Sequence, residues 1–182
     1  MRNFAFLLTL PILFLSACKS GNPDKALARW NQSPVPDYYY LRLDSQPLLG
    51  ISRLTGVIVR GGEVDRVFGK ALSRNPAGEQ VILGTFYSRT PYRDDGRINP
   101  AYSLTMPRLL EECRQAFAGA ANGKRSFKAG SQGELKACTA RPPGCQDNCG
   151  RSIEVIEFQS GTLSDEEIKN YLQNTRTFLK EG

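Results

Sequence analysis

The chain contains no histidine. That absence excludes Ser-His-Asp and Cys-His catalysis and removes the usual proton shuttle near neutral pH. An enzyme built on this sequence would have to work with carboxylates, lysine or tyrosine alone. No Cys-x-x-Cys occurs, which argues against a dithiol redox pair. No apolar run reaches the roughly 20 residues of a membrane-spanning helix. Basic residues exceed acidic ones, 24 against 18, but they are spread along the chain rather than clustered, which argues against a nucleic-acid site. Glu111-Glu112 and Glu166-Glu167 are the acid pairs that a carboxylate-based hydrolase could draw on. Adjacent acids on helices usually face solvent or favour the helix N-terminus instead. Asp94-Asp95 offers too few oxygen ligands for calcium and reads as a turn.

What is present begins at the amino terminus. Met1-Arg2-Asn3 carries one positive side chain, and an apolar run from Phe4 to Leu15 is broken only by Thr9 and Pro11. Leu15-Ser16-Ala17-Cys18 follows. A charged start, a short apolar stretch and small residues before a cut site describe a secretory signal. The Leu-Ser-Ala-Cys ending resembles the lipobox of bacterial lipoproteins. In that family a diacylglycerol joins the cysteine sulfur, a peptidase cuts before the cysteine, and the new amine is often acylated. The resemblance implies a signal peptide over residues 1–17, a lipidated Cys18 with a tether over 18–25, and a membrane-anchored place in the cell envelope. Lys19 resembles the residue found after the cysteine in outer-membrane-sorted lipoproteins of Gram-negative bacteria, which face the periplasm. Two or three acyl chains anchor firmly, because each buried CH₂ contributes about 0.8 kcal/mol.

Removing residues 1–17 leaves 165 residues with 23 basic and 18 acidic side chains, a net charge of +5. Such a length suits one domain, 26–182, with a real core. Four cysteines remain: Cys113, Cys138, Cys145 and Cys149. An even count in an oxidising compartment reads as two disulfides, with all three pairings open. The alternative, a four-cysteine zinc site, is disfavoured by export and by the Cys-x₃-Cys spacing. No cofactor or metal is expected.

The pattern along the chain reads as follows. Ala26 to Trp30 is a helical turn, with Trp30 in the core. After Pro34-Val35-Pro36-Asp37, residues Tyr38 to Leu43 alternate as a strand. Tyr39, Leu41 and Leu43 form its packed side, and Tyr38 and Tyr40 on the other side form a candidate binding face. Thr55–Val59 and Val64–Phe68 flank Gly61-Gly62, a direct hairpin signal. Residues 69–80 and 88–103 read as polar loops, and Val81–Tyr87 between them as a strand. Both loops are candidate contact sites, since function concentrates on loops. Thr105 reads as an N-cap with Pro107 in the first turn. Leu109, Leu110, Cys113, Phe117 and Ala121 then fall at helical spacing up to Asn122-Gly123. Cys113 lies on this apolar stripe, so a disulfide from it would tie helix to sheet. Lys124–Ala137 is polar with Phe127 and Leu135 as anchors, and Cys138–Gly150 reads as a cysteine-bearing loop. Ser152–Phe158 reads as a strand. Ser164 and Glu167 match a capping box, and Ile168, Tyr171, Leu172, Thr175 and Leu179 keep helical spacing over 165–179.

These residues resemble a family of small secreted bacterial proteins and lipoproteins known only as a domain of unknown function. The likeness is carried by Trp30, Asp37-Tyr38-Tyr39-Tyr40-Leu41, the Val57–Val64 strand-turn-strand, the helix near Leu109, and Ile153 to Ile168. The family often has cysteines just after the tyrosine strand, where this chain has Asp44-Ser45-Gln46-Pro47, so no disulfide arrangement carries over. The resemblance implies an α+β domain, an antiparallel β-sheet, and a strand rather than a helix in the final stretch. Pattern and resemblance together give an α+β fold with one main amphipathic helix on the sheet and a C-terminal segment that is helix or strand. The expected role is a non-catalytic envelope module that binds a protein or cell-wall polymer and no nucleic acid. The alternative is a carboxylate-based envelope hydrolase.

Overall fold

The computed structural model describes residues 21–46, 51–88, 103–145 and 150–173. The signal segment, Cys18, Asp94-Asp95, Cys149, most of the 88–103 loop, Thr175 and Leu179 lie outside them. The elements in chain order are α1 (Pro23–Gln32), β1 (Tyr38–Gln46), β2 (Ile51–Arg60), β3 (Glu63–Arg74) and β4 (Gln80–Ser88). They are followed by α2 (Met106–Gly119), β5 (Lys124–Ala129), β6 (Leu135–Arg141), β7 (Arg151–Ser160) and α3 (Asp165–Gln173).

The strands form a seven-stranded sheet in the order β4-β3-β2-β1-β7-β6-β5. Every neighbouring pair is antiparallel. The sheet consists of two meanders joined side by side at β1 and β7, with α2 leading from one edge strand to the other. The α+β class and the antiparallel sheet agree with the sequence reading. The helical complement is larger than the single main helix expected: α1 packs beside α2 on one face, and α3 covers part of the other.

The β2–β3 hairpin forms as its sequence dictates. Gly61 and Gly62 hold φ of 57° and 83°, the left-handed pair a two-residue hairpin turn needs. The Gly61 amide donates to Asp37 Oδ1 at 2.8 Å, which ties the turn to the start of β1. The central strands are buried on both sides. Trp30, Tyr38, Tyr40, Val57, Val59, Leu109, Leu110, Cys113, Phe127, Cys138, Ile153 and Val155 form the core under α1 and α2. Tyr39, Leu41, Leu54, Ile58, Phe68, Leu163 and Ile168 form the core under α3.

Three sequence expectations are corrected. Residues 69–74 are strand, not loop, and the connection to β4 is a short turn in which the Asn75 amide donates to Glu79 O. Residues 124–141 form a hairpin instead of an irregular stretch, and Cys138 sits within β6. Residues 165–173 are helix, against the strand implied by the resemblance. The reason is the capping box: the Ser164 amide donates to Glu167 Oε2 at 2.7 Å and the Glu167 amide to Ser164 Oγ at 3.3 Å.

Candidate functional site

Tyr38 and Tyr40 are not a binding face. Their relative exposures are 1% and 0%. Both stand under α1 and α2, because β1 is the central strand and helices cover both its faces. Each hydroxyl finds a backbone partner at the entrance to α2. Tyr38 Oη accepts from the Met106 amide at 2.7 Å, and Tyr40 Oη donates to Leu104 O at 2.5 Å. Burial pushes the Tyr38 hydroxyl up to about 12, against the Met106 hydrogen bond that lowers it. Burial also raises Tyr40. The two tyrosines therefore position α2; Thr105, although it precedes the helix, makes no side-chain cap bond. The same stripe continues into Arg42, which is buried and pairs with Asp44 at 2.8 Å.

Cys113 and Cys138 form a disulfide with 6.0 Å between Cα atoms. It ties α2 to β6, and it takes two sulfurs away from a four-cysteine zinc site. Cys145 is disulfide-bonded as well.

The acid pairs are not brought together, since α2 and α3 lie on opposite faces of the sheet. Glu111 accepts from Arg114 and Gln115, and the Arg114 guanidinium holds its carboxyl down to about 2. Glu112 pairs with Arg151 at 2.5 Å. Glu167 caps α3, and its carboxyl is lowered first by the Ser164 amide and then by the Ser164 hydroxyl. Glu166 is exposed.

A polar cluster that sequence reasoning missed lies under α3. Glu157 Oε1 accepts from Tyr39 Oη at 2.6 Å and from Tyr171 Oη at 3.0 Å. Lys70 Nζ donates to Tyr171 O at 2.7 Å, near the C-terminal end of α3, where a cation is favourable. Lys70 is buried, and desolvation lowers its pKa. Desolvation first, and then the bond to Glu157, raises Tyr39. These four residues fasten α3 to the sheet.

The two edge strands differ in character. β5 carries Lys124, Arg125 and Lys128, all exposed. Cationic side chains of this kind blunt an open edge against strand pairing. β4, Gln80-Val-Ile-Leu-Gly-Thr-Phe-Tyr-Ser88, has no charge and no proline. Among the described residues, no strand pairs with its outer side. The exposed large apolar side chains of the described residues all belong to it: Val81 at 36%, Leu83 at 56% and Tyr87 at 41%. Leu83 is the extra residue of a bulge, since Gly84 pairs with Ala71 but Ile82 with Leu72. The bulge leaves its side chain over solvent. This edge is the surface most open to a partner among the described residues; of the two predicted contact loops, 69–80 is mostly strand and turn, and most of 88–103 lies outside them. Val81–Tyr87 reads as a strand from sequence, but its place at the sheet edge depends on the topology.

Comparison of the chain with protein-family models, with curated proteins and with solved structures returns no match.

Proposed function

We propose that this chain is a lipid-anchored protein of the cell envelope that captures an extended segment of a partner protein along the outer edge of β4. The uncharged edge of β4, which no strand pairs among the described residues and which carries the exposed Val81 and Leu83, is the observation that supports this reading. Such an edge offers a row of backbone donors and acceptors for affinity, and alternate side chains for selectivity. The Leu-Ser-Ala-Cys sequence supports the anchor. The two features are spatially compatible. The described chain begins beside β5, at one end of the sheet, and β4 lies six strand spacings away, about 29 Å. A partner approaching β4 would thus clear the membrane. The carboxylate pairs lend little to the hydrolase alternative, because Glu111, Glu112 and Glu167 are each committed to a local bond.

The test is site-specific photocrosslinking in cells. A crosslinker replacing Leu83 yields a discrete adduct with one envelope protein, and a crosslinker replacing the exposed Glu154 on β7 does not. Val81→Lys abolishes the Leu83 adduct. Equal adducts from both positions, or none from Leu83, would count against the edge.

A further inference from the structure

Gly21 packs on the ring of Phe127 in β5: a Cβ there would stand 2.8 Å from Phe127 Cδ1. From Cys18 to Gly21 the chain reaches at most about 11 Å. Around Gly21 a groove of about 570 Å³ opens between the start of α1, the second half of α2 and β5. Phe117, Ala121 and Phe127 supply its apolar lining, and Arg114 and Arg125 its cations. Asp24 is the acid in the lining, in the first turn of α1, where it favours the helix N-terminus. Arg114 is paired with Glu111. Arg125 lies 5.7 Å over the Phe117 ring and donates to Phe117 O at 3.5 Å, which leaves its charge uncompensated. Among the described residues, no carboxylate pairs with Lys124, Arg125 or Lys128.

We propose that the β5 end of the domain docks on a bilayer surface bearing anionic phospholipid. Lys124, Arg125 and Lys128 meet the headgroup phosphates, and the Phe117–Phe127 groove faces the glycerol region. The orientation rests on the anchored reading of Cys18; the headgroup contact does not. The chemistry follows from three exposed cations on the edge strand, one of which, Arg125, lines an aromatic groove within a short tether of the proposed anchor. Each cation near an anionic membrane contributes roughly fivefold in affinity, and the effect is screened by salt.

The experiment uses the mature chain from residue 18 with Cys18→Ala, which carries no lipid, and cosedimentation with two kinds of vesicle. One is phosphatidylcholine alone; the other holds phosphatidylcholine and phosphatidylglycerol in equal parts. Binding is expected only to the second kind, and to weaken with added salt. Lys124→Gln/Arg125→Gln/Lys128→Gln weakens it by about a hundredfold, whereas Lys124→Arg/Lys128→Arg retains it. Equal sedimentation with both vesicles, or undiminished binding of the triple variant, overturns the proposal. Acyl labelling of the unaltered chain tests the anchor separately. Phosphatidylglycerol binding without acyl label would refute the anchor and leave the headgroup contact standing. Acyl label without phosphatidylglycerol binding would do the reverse.

Discussion

Replacing the Cys113–Cys138 bridge by Cys113→Ala/Cys138→Ala tests how α2 is held. The bridge closes a loop with a sequence separation of 25. The chain-entropy relation for such a loop gives about 3.5 kcal/mol of stabilisation at room temperature. Both cysteines are fully buried, so losing two sulfurs from the core adds a smaller cavity cost. A total of about 3–5 kcal/mol is a large part of the roughly 5–15 kcal/mol that holds a domain of this size folded. The assay is urea unfolding followed by far-UV circular dichroism, with the variant used in place of a reductant so that the Cys145 disulfide stays intact. With a slope of about 2 kcal/mol per molar urea, the midpoint falls by roughly 2 M. The α2 amides should also lose hydrogen-exchange protection before those of β2 and β3. A loss below about 1 kcal/mol would refute the reasoning, because it would mean that Tyr38, Tyr40 and the apolar stripe of α2 hold the helix alone.

Leu83→Lys and Val81→Lys should each change stability by no more than about 0.5 kcal/mol, since both side chains face solvent, while ending partner capture; thermal melts and the crosslinking yield check the two halves. Ser164→Ala should cost about 1 kcal/mol through loss of the α3 cap, read as a lower melting temperature and faster exchange of α3 amides. The Glu167 carboxyl is lowered in the folded state, so its contribution is present above the ordinary glutamate range and is lost as pH falls through the folded value. The cap should therefore weaken in acid, and Glu167→Gln should flatten that dependence. Tyr38, Tyr39, Tyr40 and Tyr171 are all raised. Their stabilisation is complete below about pH 10 and is lost as pH climbs above it. Tyrosinate absorbance should then rise in two stages, exposed tyrosines first and these four later; a single stage near pH 10 would contradict the burial of Tyr38, Tyr39 and Tyr40.

The parts of the fold legible in the sequence were those where local chemistry and tertiary structure agree. Gly61-Gly62 between β-branched runs, Pro107 at the start of α2 and the Ser164–Glu167 box each specify their element within a few residues. The β5–β6 hairpin was hidden because an edge strand has one open side, and Lys124, Arg125, Ser126 and Lys128 face solvent without apolar alternation. The end of β3 was hidden because Gly69 and Lys70 look like loop residues. Gly69 is there because the Phe86 ring and Leu54 O lie across it, where a Cβ would come within 2.4 Å of either, and Lys70 because its amine caps a helix distant in sequence. The tyrosine stripe misled for a related reason. Alternation on β1 suggests one wet side, yet the even-numbered hydroxyls are satisfied by the backbone around Met106, which no local pattern reveals. The edge position of β4 could not be read at all, since edges are a property of strand order.

The side-by-side joining of the two meanders has a consequence for how the chain acquires its shape. β2, β3 and β4 pair only with sequence neighbours, and β1 does so on one side, so this half can assemble early. The other side of β1 has to wait for β7, because Tyr38 pairs with Ser160 and Leu41 with Glu157. Long-range antiparallel pairing of this kind is slow, and an unpaired central strand is vulnerable to wrong partners while it waits. The β1–β7 seam is thus the step at which a holding chaperone would matter most, and a substitution that slows it should lower yield before it lowers the stability of the finished protein.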